Sequence, residues 1–101
     1  MAAPVQMGRN CQVHRHRELV PLERHHIWPK AMGGPDTPDN LMDLCANAHG
    51  SAHNLLTLML RARLTGKPVP WTIRRLYGKG VRAVAQRGYD AIVAHSEPPG
   101  A

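Results

Sequence analysis

Hydrophobic and polar positions change period along the chain, and each change predicts an element. The stretch ELVPLERHHI (residues 18–27) alternates loosely and holds β-branched residues, which predicts an extended segment broken at Pro21. Residues 29–40 collect Gly33-Gly34-Pro35-Asp36 and Pro38-Asp39-Asn40, a density of turn formers that predicts a long loop. Loops of this length in a small domain usually carry function. LMDLC (41–45) alternates as a short second strand. Over residues 46–64, Ala52, Leu55, Leu56, Met59 and Leu60 recur at three and four, the stripe of one helix. Gly66, Pro68 and Pro70 stop it. Residues 72–77 predict a short helical turn. Val81, Val84, Ala85, Gly88 and Ile92 then share one face of a further helix, with Arg82, Gln86, Arg87 and Asp90 largely off it. Residues 1–10 and 96–101 have no period and read as frayed ends. The fold class is α+β: strand, long loop, strand, helix, then a helical C-terminal extension.

At 101 residues this is one small domain. Its only aromatics are Trp28, Trp71, Tyr77 and Tyr89, so the core rests on Leu, Val, Ile, Ala and Met, and a bound metal would help it fold. No apolar run reaches the roughly 18 residues that span a bilayer. The first ten residues lack the charged-then-apolar order of a secretory signal. The expectation is a cytoplasmic protein with no membrane partner.

Charge narrows the choice of partner. The net +6 is uneven: residues 1–60 carry five basic and five acidic side chains, residues 61–101 eight basic and two acidic. A half-chain of that kind suits a polyanion, nucleic acid first; the plainer reading is a solvated basic face. Arg61, Arg63, Lys67, Arg74, Arg75, Lys79 and Arg82 are the candidate DNA phosphate contacts, and Arg87 belongs to the same excess.

Seven histidines are many for this length, while Cys11 and Cys45 are too few for a disulfide scaffold. Imidazoles clustered near thiols point to metal. His49 and His53, four apart on the predicted helix, present both rings on one face at the edge of the apolar stripe. Neighbours on a strand point to opposite faces, so one of His25 and His26 can join that pair while the other is directed elsewhere. Three imidazoles with open positions make a catalytic type of site. Cutting a phosphodiester also needs a base for the attacking water. A neutral imidazole serves near physiological pH when an amide or backbone carbonyl fixes its tautomer. Asn40, at the end of the long loop, is the candidate to pin that loop.

The run LERHHIWPKAMGGPDTPDNLMDLCANAHGSAH resembles the HNH endonucleases, most of all the nuclease-colicin version and phage HNH proteins, and the resemblance covers residues 18–56. It implies a ββα-metal (His-Me finger) core around one divalent ion. It also implies an endonuclease or nickase that hydrolyses DNA to 5′-phosphate and 3′-hydroxyl ends. Metal ligation by His25, His49 and His53 is implied, with a general base at His26, loop positioning by Asn40 and an orienting role for Glu23. Three imidazoles suit Zn²⁺, Ni²⁺, Co²⁺ or Mn²⁺ better than Mg²⁺. Many HNH proteins hold a second, structural zinc with two CxxC pairs. Here Cys11-Gln-Val-His14 offers two ligands and Cys45-Ala-Asn-Ala48 only one. Cys11, His14 and Cys45 leave a closed zinc site one ligand short unless the arm brings in His16. The expectation is a degenerate site, with Cys11 and Cys45 close in space, reduced in the cytoplasm or disulfide-linked on oxidation.

The organisation expected is an N-terminal arm (1–17), an HNH core (18–65) and a basic helical extension (66–101) in one compact unit, from a bacterial or phage-infected cell. One alternative is a non-catalytic, metal-stabilised DNA-binding or scaffold module, which a base at His26 argues against. Another is an accessory subunit that docks through the small-residue stripe Val81, Val84, Ala85 and Gly88, on a second copy or on phage packaging machinery. Plainer readings hold for the remaining residues. His14 and His16 alone read as surface, Trp28 beside Pro29 as a cap on the core, and His95 as a charge suited to a helix C-terminus.

Overall fold

The computed structural model describes residues 11–13 and 22–96. Residues 1–10, residues 14–21 with His14, His16 and Pro21, and residues 97–101 lie outside the described residues. The order is β1 (Glu23–His26), 3-10 turns at Lys30–Met32 and Pro38–Asn40, β2 (Leu41–Leu44), α1 (Ala46–Thr65), α2 (Trp71–Arg74) and α3 (Lys79–Ser96). This is an α+β chain with a ββα core, as the sequence pattern indicates.

The two strands pair antiparallel, with Glu23 opposite Leu44 and His26 opposite Leu41. Strand alternation buries His25 beside Met42 and Leu44 and turns His26 to the other face. β2 ends one residue earlier than its apolar pattern because Cys45 starts the helix instead. Its Sγ accepts the Ala48 N–H at 3.5 Å, an N-cap. Residues 11–13 lie against β2: the Gln12 N–H donates to the Asp43 carbonyl at 2.9 Å, and the Asp43 N–H donates to Gln12 Oε1 at 2.8 Å. Cys11 is fully buried. This part of the expected arm is therefore core, because the short strand pair has too little apolar surface to close over itself.

The long loop folds back on Trp28. Gly33 sits at φ 101°, and a Cβ on Gly34 would come within 1.8 Å of the Trp28 carbonyl oxygen, so no other residue fits there without moving the backbone. Asn40 closes the loop. Its Oδ1 accepts the Trp28 N–H at 2.8 Å, and its Nδ2 donates to the carbonyls of Trp28 (3.1 Å) and Pro35 (2.9 Å). Buried amides of this kind are retained because every donor and acceptor is matched.

α1 buries Ala48, Ala52, Leu55 and Leu56 and ends at Gly66 with φ 73°, a left-handed C-cap. α3 lies across it. Val81 and Val84 join Cys11, Ile27, Leu44, Cys45 and Ala52 in one cluster, while Ala85 and Ile92 join Leu55 and Leu56 in a second. The stripe Val81, Val84, Ala85 and Gly88 thus packs on the chain's own core, and the docking role considered for it does not hold. Gly88 permits the crossing: a Cβ there would lie 3.2 Å from the Ile27 carbonyl oxygen and 3.2 Å from a Leu56 methyl. α2 packs least, leaving Trp71 59%, Ile73 40% and Leu76 73% exposed. Among the described residues no helix is long and apolar enough to cross a membrane.

Candidate metal centre

Three rings meet between β1 and α1. His25 comes from the inner face of β1, and His49 and His53 come from successive turns of α1. One nitrogen from each ring lies within 4.8 Å of the other two. The Nε2 atoms of His49 and His53 are 3.0 Å apart. His25 is only 2% exposed, and its Nδ1 is buried with no hydrogen-bond partner. A buried orphan of that kind costs about 1–3 kcal/mol, and a cation among the three rings would satisfy it. The donor set fits a divalent metal ion.

Electrostatics favour the neutral rings that a metal needs. Burial, then the neighbouring His49 and His53, push the His25 pKa down to about 4. Burial and then His49 lower that of His53. Glu23 orients one of these rings: His49 Nδ1 donates to Glu23 Oε1 at 2.8 Å, which leaves Nε2 to face the other rings.

His26 points away from this triad, as alternation requires. Its Nε2 donates to Asp36 Oδ1 at 2.6 Å. The His26 hydrogen bond, and next the Lys30 ammonium at 3.9 Å from Oδ2, lower the Asp36 pKa. A carboxylate therefore holds the ring where an amide or carbonyl was expected, while Asn40 pins the loop that carries Asp36. The sequence gives Asp36 only as one of several turn formers, so its partner could not be read there.

Residues 9–55 match the family model described as HNH endonuclease. That stretch is similar to an HNH domain. Over 34 residues it is 56% identical to a probable mobile endonuclease C of Enterobacteria phage T4, covering 34% of this chain and 16% of that protein. Over 46 residues it is 39% identical to the type IV methyl-directed restriction enzyme EcoKMcrA of Escherichia coli strain K12, covering 46% and 17%. A probable mobile endonuclease E of the same phage is 49% identical over 35 residues, covering 35% and 25%. The chain thus spans a quarter or less of the length of these curated relatives. No solved structure gives a significant match.

The HNH match ends within α1, so most of the basic residues lie beyond it. Arg61, Arg63, Lys67, Arg75 and Lys79 are exposed. Arg74 is half-buried, with its Nε enclosed and unpartnered. Arg82 departs from its expected role: its guanidinium donates to the Tyr77 carbonyl and sits 5.0 Å over the Trp71 ring, because its neighbours on α2 curl back over it. The α2 side of the molecule faces Asn47, Ser51, Leu58 and Ala62 of α1. At 100° per residue that is the side of α1 remote from His49 and His53. Lys67, Arg75 and Lys79 accordingly do not converge on the metal centre.

Cys11 and Cys45 are both buried, in one cluster with Leu44 and Ala48. His14, the third suggested zinc ligand, lies outside the described residues. His95 does more than sit at a helix end: its ring stacks on Trp28 at 3.7 Å and 13°, tying the end of α3 to the loop.

Proposed function

We propose that the chain is a metal-dependent DNA endonuclease or nickase that leaves a 5′-phosphate and a 3′-hydroxyl. The observation that carries this is the His25, His49 and His53 triad, buried at His25 and open to solvent at His53, with His26 beside it on the opposite strand face, inside the HNH match. His25, His49 and His53 would hold one divalent cation, with Zn²⁺, Ni²⁺, Co²⁺ or Mn²⁺ suiting three imidazoles better than Mg²⁺. Such an ion supplies charge stabilisation for the scissile phosphate and the departing oxygen.

The protein's own residues do the proton chemistry. With Nε2–H committed to Asp36, the free lone pair of His26 is on Nδ1, which accepts the proton of the attacking water. Asp36 keeps that tautomer, and Asn40 keeps Asp36 in place by tying Pro35 to Trp28. Glu23 holds His49 as a ligand. The exposed basic side chains of the extension draw the duplex in by phosphate contacts that carry no sequence information.

The test is chelation and add-back on supercoiled plasmid. Stripped protein should leave the plasmid intact, and one or more of Mn²⁺, Ni²⁺, Co²⁺, Zn²⁺ and Mg²⁺ should restore nicking, with open circle appearing before linear product. Cutting that persists undiminished in excess chelator would exclude the metal-dependent reading.

A further inference from the structure

We propose that Arg87, on α3 and outside the residues that match the HNH family, holds a DNA phosphate beside the metal centre. The inference rests on the nuclease reading and adds a residue to that same site.

Its basis is the place where α3 crosses the HNH match. Gly88 touches two elements at once, the Ile27 carbonyl after β1 and the Leu56 side chain on α1. Ile27 follows His25 by two residues, just past the end of β1, and Leu56 follows His53 by three on a helix. The crossing therefore lies one strand repeat, roughly 6–7 Å, and about one helical turn, roughly 5 Å, from the triad. Arg87 precedes Gly88. It shares a row at three- and four-residue spacing with Val84, which is buried in the core, and with Ala91 and His95, of which the last stacks on Trp28. That row runs along the edge of α3 next to β1 and the long loop. The opposite edge carries Arg82 and Tyr89, toward α2.

Arg87 is exposed, and among the described residues it has neither a hydrogen bond nor an ion pair. A cation beside a cation-binding triad works against metal binding on its own. With a phosphate between them, both charges are neutralised, and the planar guanidinium offers two parallel donors to two phosphate oxygens. Arg82 is not placed to do this, since its guanidinium is committed to the Tyr77 carbonyl and the Trp71 ring.

The experiment compares wild type, Arg87→Ala, Arg87→Lys and Arg75→Ala, each loaded with Co²⁺. Inorganic phosphate is titrated against the visible cobalt absorption. Losing a charge-assisted bidentate contact should weaken phosphate binding about tenfold or more in Arg87→Ala, with Arg87→Lys between and Arg75→Ala at the wild-type value. Co²⁺ itself should bind Arg87→Ala at least as tightly as wild type, because a repelling charge has gone. On supercoiled plasmid, Arg87→Ala should lose about tenfold or more in kcat with little change in KM, and Arg75→Ala should change KM alone. Weaker Co²⁺ binding, or phosphate affinity and kcat near wild type in Arg87→Ala, overturns the assignment, as does a wild-type protein whose cobalt spectrum ignores phosphate. Failure of the wild type to cut any DNA while phosphate binding still depends on Arg87 would remove the nuclease reading and leave the phosphate site standing.

Discussion

Glu23 and His49 are joined by a 2.8 Å hydrogen bond from the start of β1 to the second turn of α1. It connects the two elements that carry the triad and fixes which nitrogen of His49 faces the other rings. Outer carboxylates on metal-binding histidines are commonly worth roughly 10–100-fold in metal affinity. Glu23→Gln should therefore weaken Co²⁺ binding by about that factor while the fold stays intact by circular dichroism. Unchanged affinity would reduce Glu23 to a surface side chain.

The contact between His26 and Asp36 makes a separate prediction, since it touches the base and none of the ligands. Asp36→Ala removes the acceptor that keeps the proton on Nε2. The nicking rate should fall by roughly 10²-fold or more, with metal affinity near wild type. A rate within a few-fold of wild type would mean that His26 needs no partner.

Acid should weaken the metal-free protein in a defined window. The folded His25 titrates at about 4, against 6.5 for a free imidazole. Between those values the unfolded chain binds a proton that the folded chain refuses, so stability falls as pH drops from about 6.5 toward 4 and is flat above. His25 alone accounts for roughly 3 kcal/mol across the window, and His53 acts in the same direction. Melting temperature followed against pH tests this. Saturating metal should raise the whole curve, most at neutral pH.

Asn40→Ala should cost about 1–3 kcal/mol, since it leaves the Trp28 N–H without its acceptor and frees both ends of the loop. Urea midpoints measure the loss. Because the same loop carries Asp36, nicking should fall further than stability does.

Much of this was legible from residue order. The i, i+4 spacing of His49 and His53 fixes their common face, and strand alternation divides His25 from His26, so the triad follows from period alone once its partners are known to meet. The bounds of α1 followed Gly66 and the apolar stripe to within a residue, whereas the turn expected over 72–77 forms over Trp71–Arg74. Other features were not legible because they depend on pairs far apart in the chain. Nothing near Asp36 distinguishes it from Asp39, yet only Asp36 reaches His26. Arg82 reads as one more surface cation until α2 folds its Trp71 ring beneath it. Cys11 carries no period, and its burial depends on β2 accepting residues 11–13 as a neighbour.

In the proposed reaction His25, His49 and His53 hold a metal while His26, next to His25, takes the proton of the attacking water. Side-by-side assay of wild type and His26→Ala tests it most directly, with Co²⁺ stoichiometry measured on the same samples and nicking of supercoiled plasmid as the readout. The account predicts one metal per chain in both proteins and nicking in the wild type alone. A His26→Ala protein that binds the metal and still nicks at the wild-type rate would contradict it.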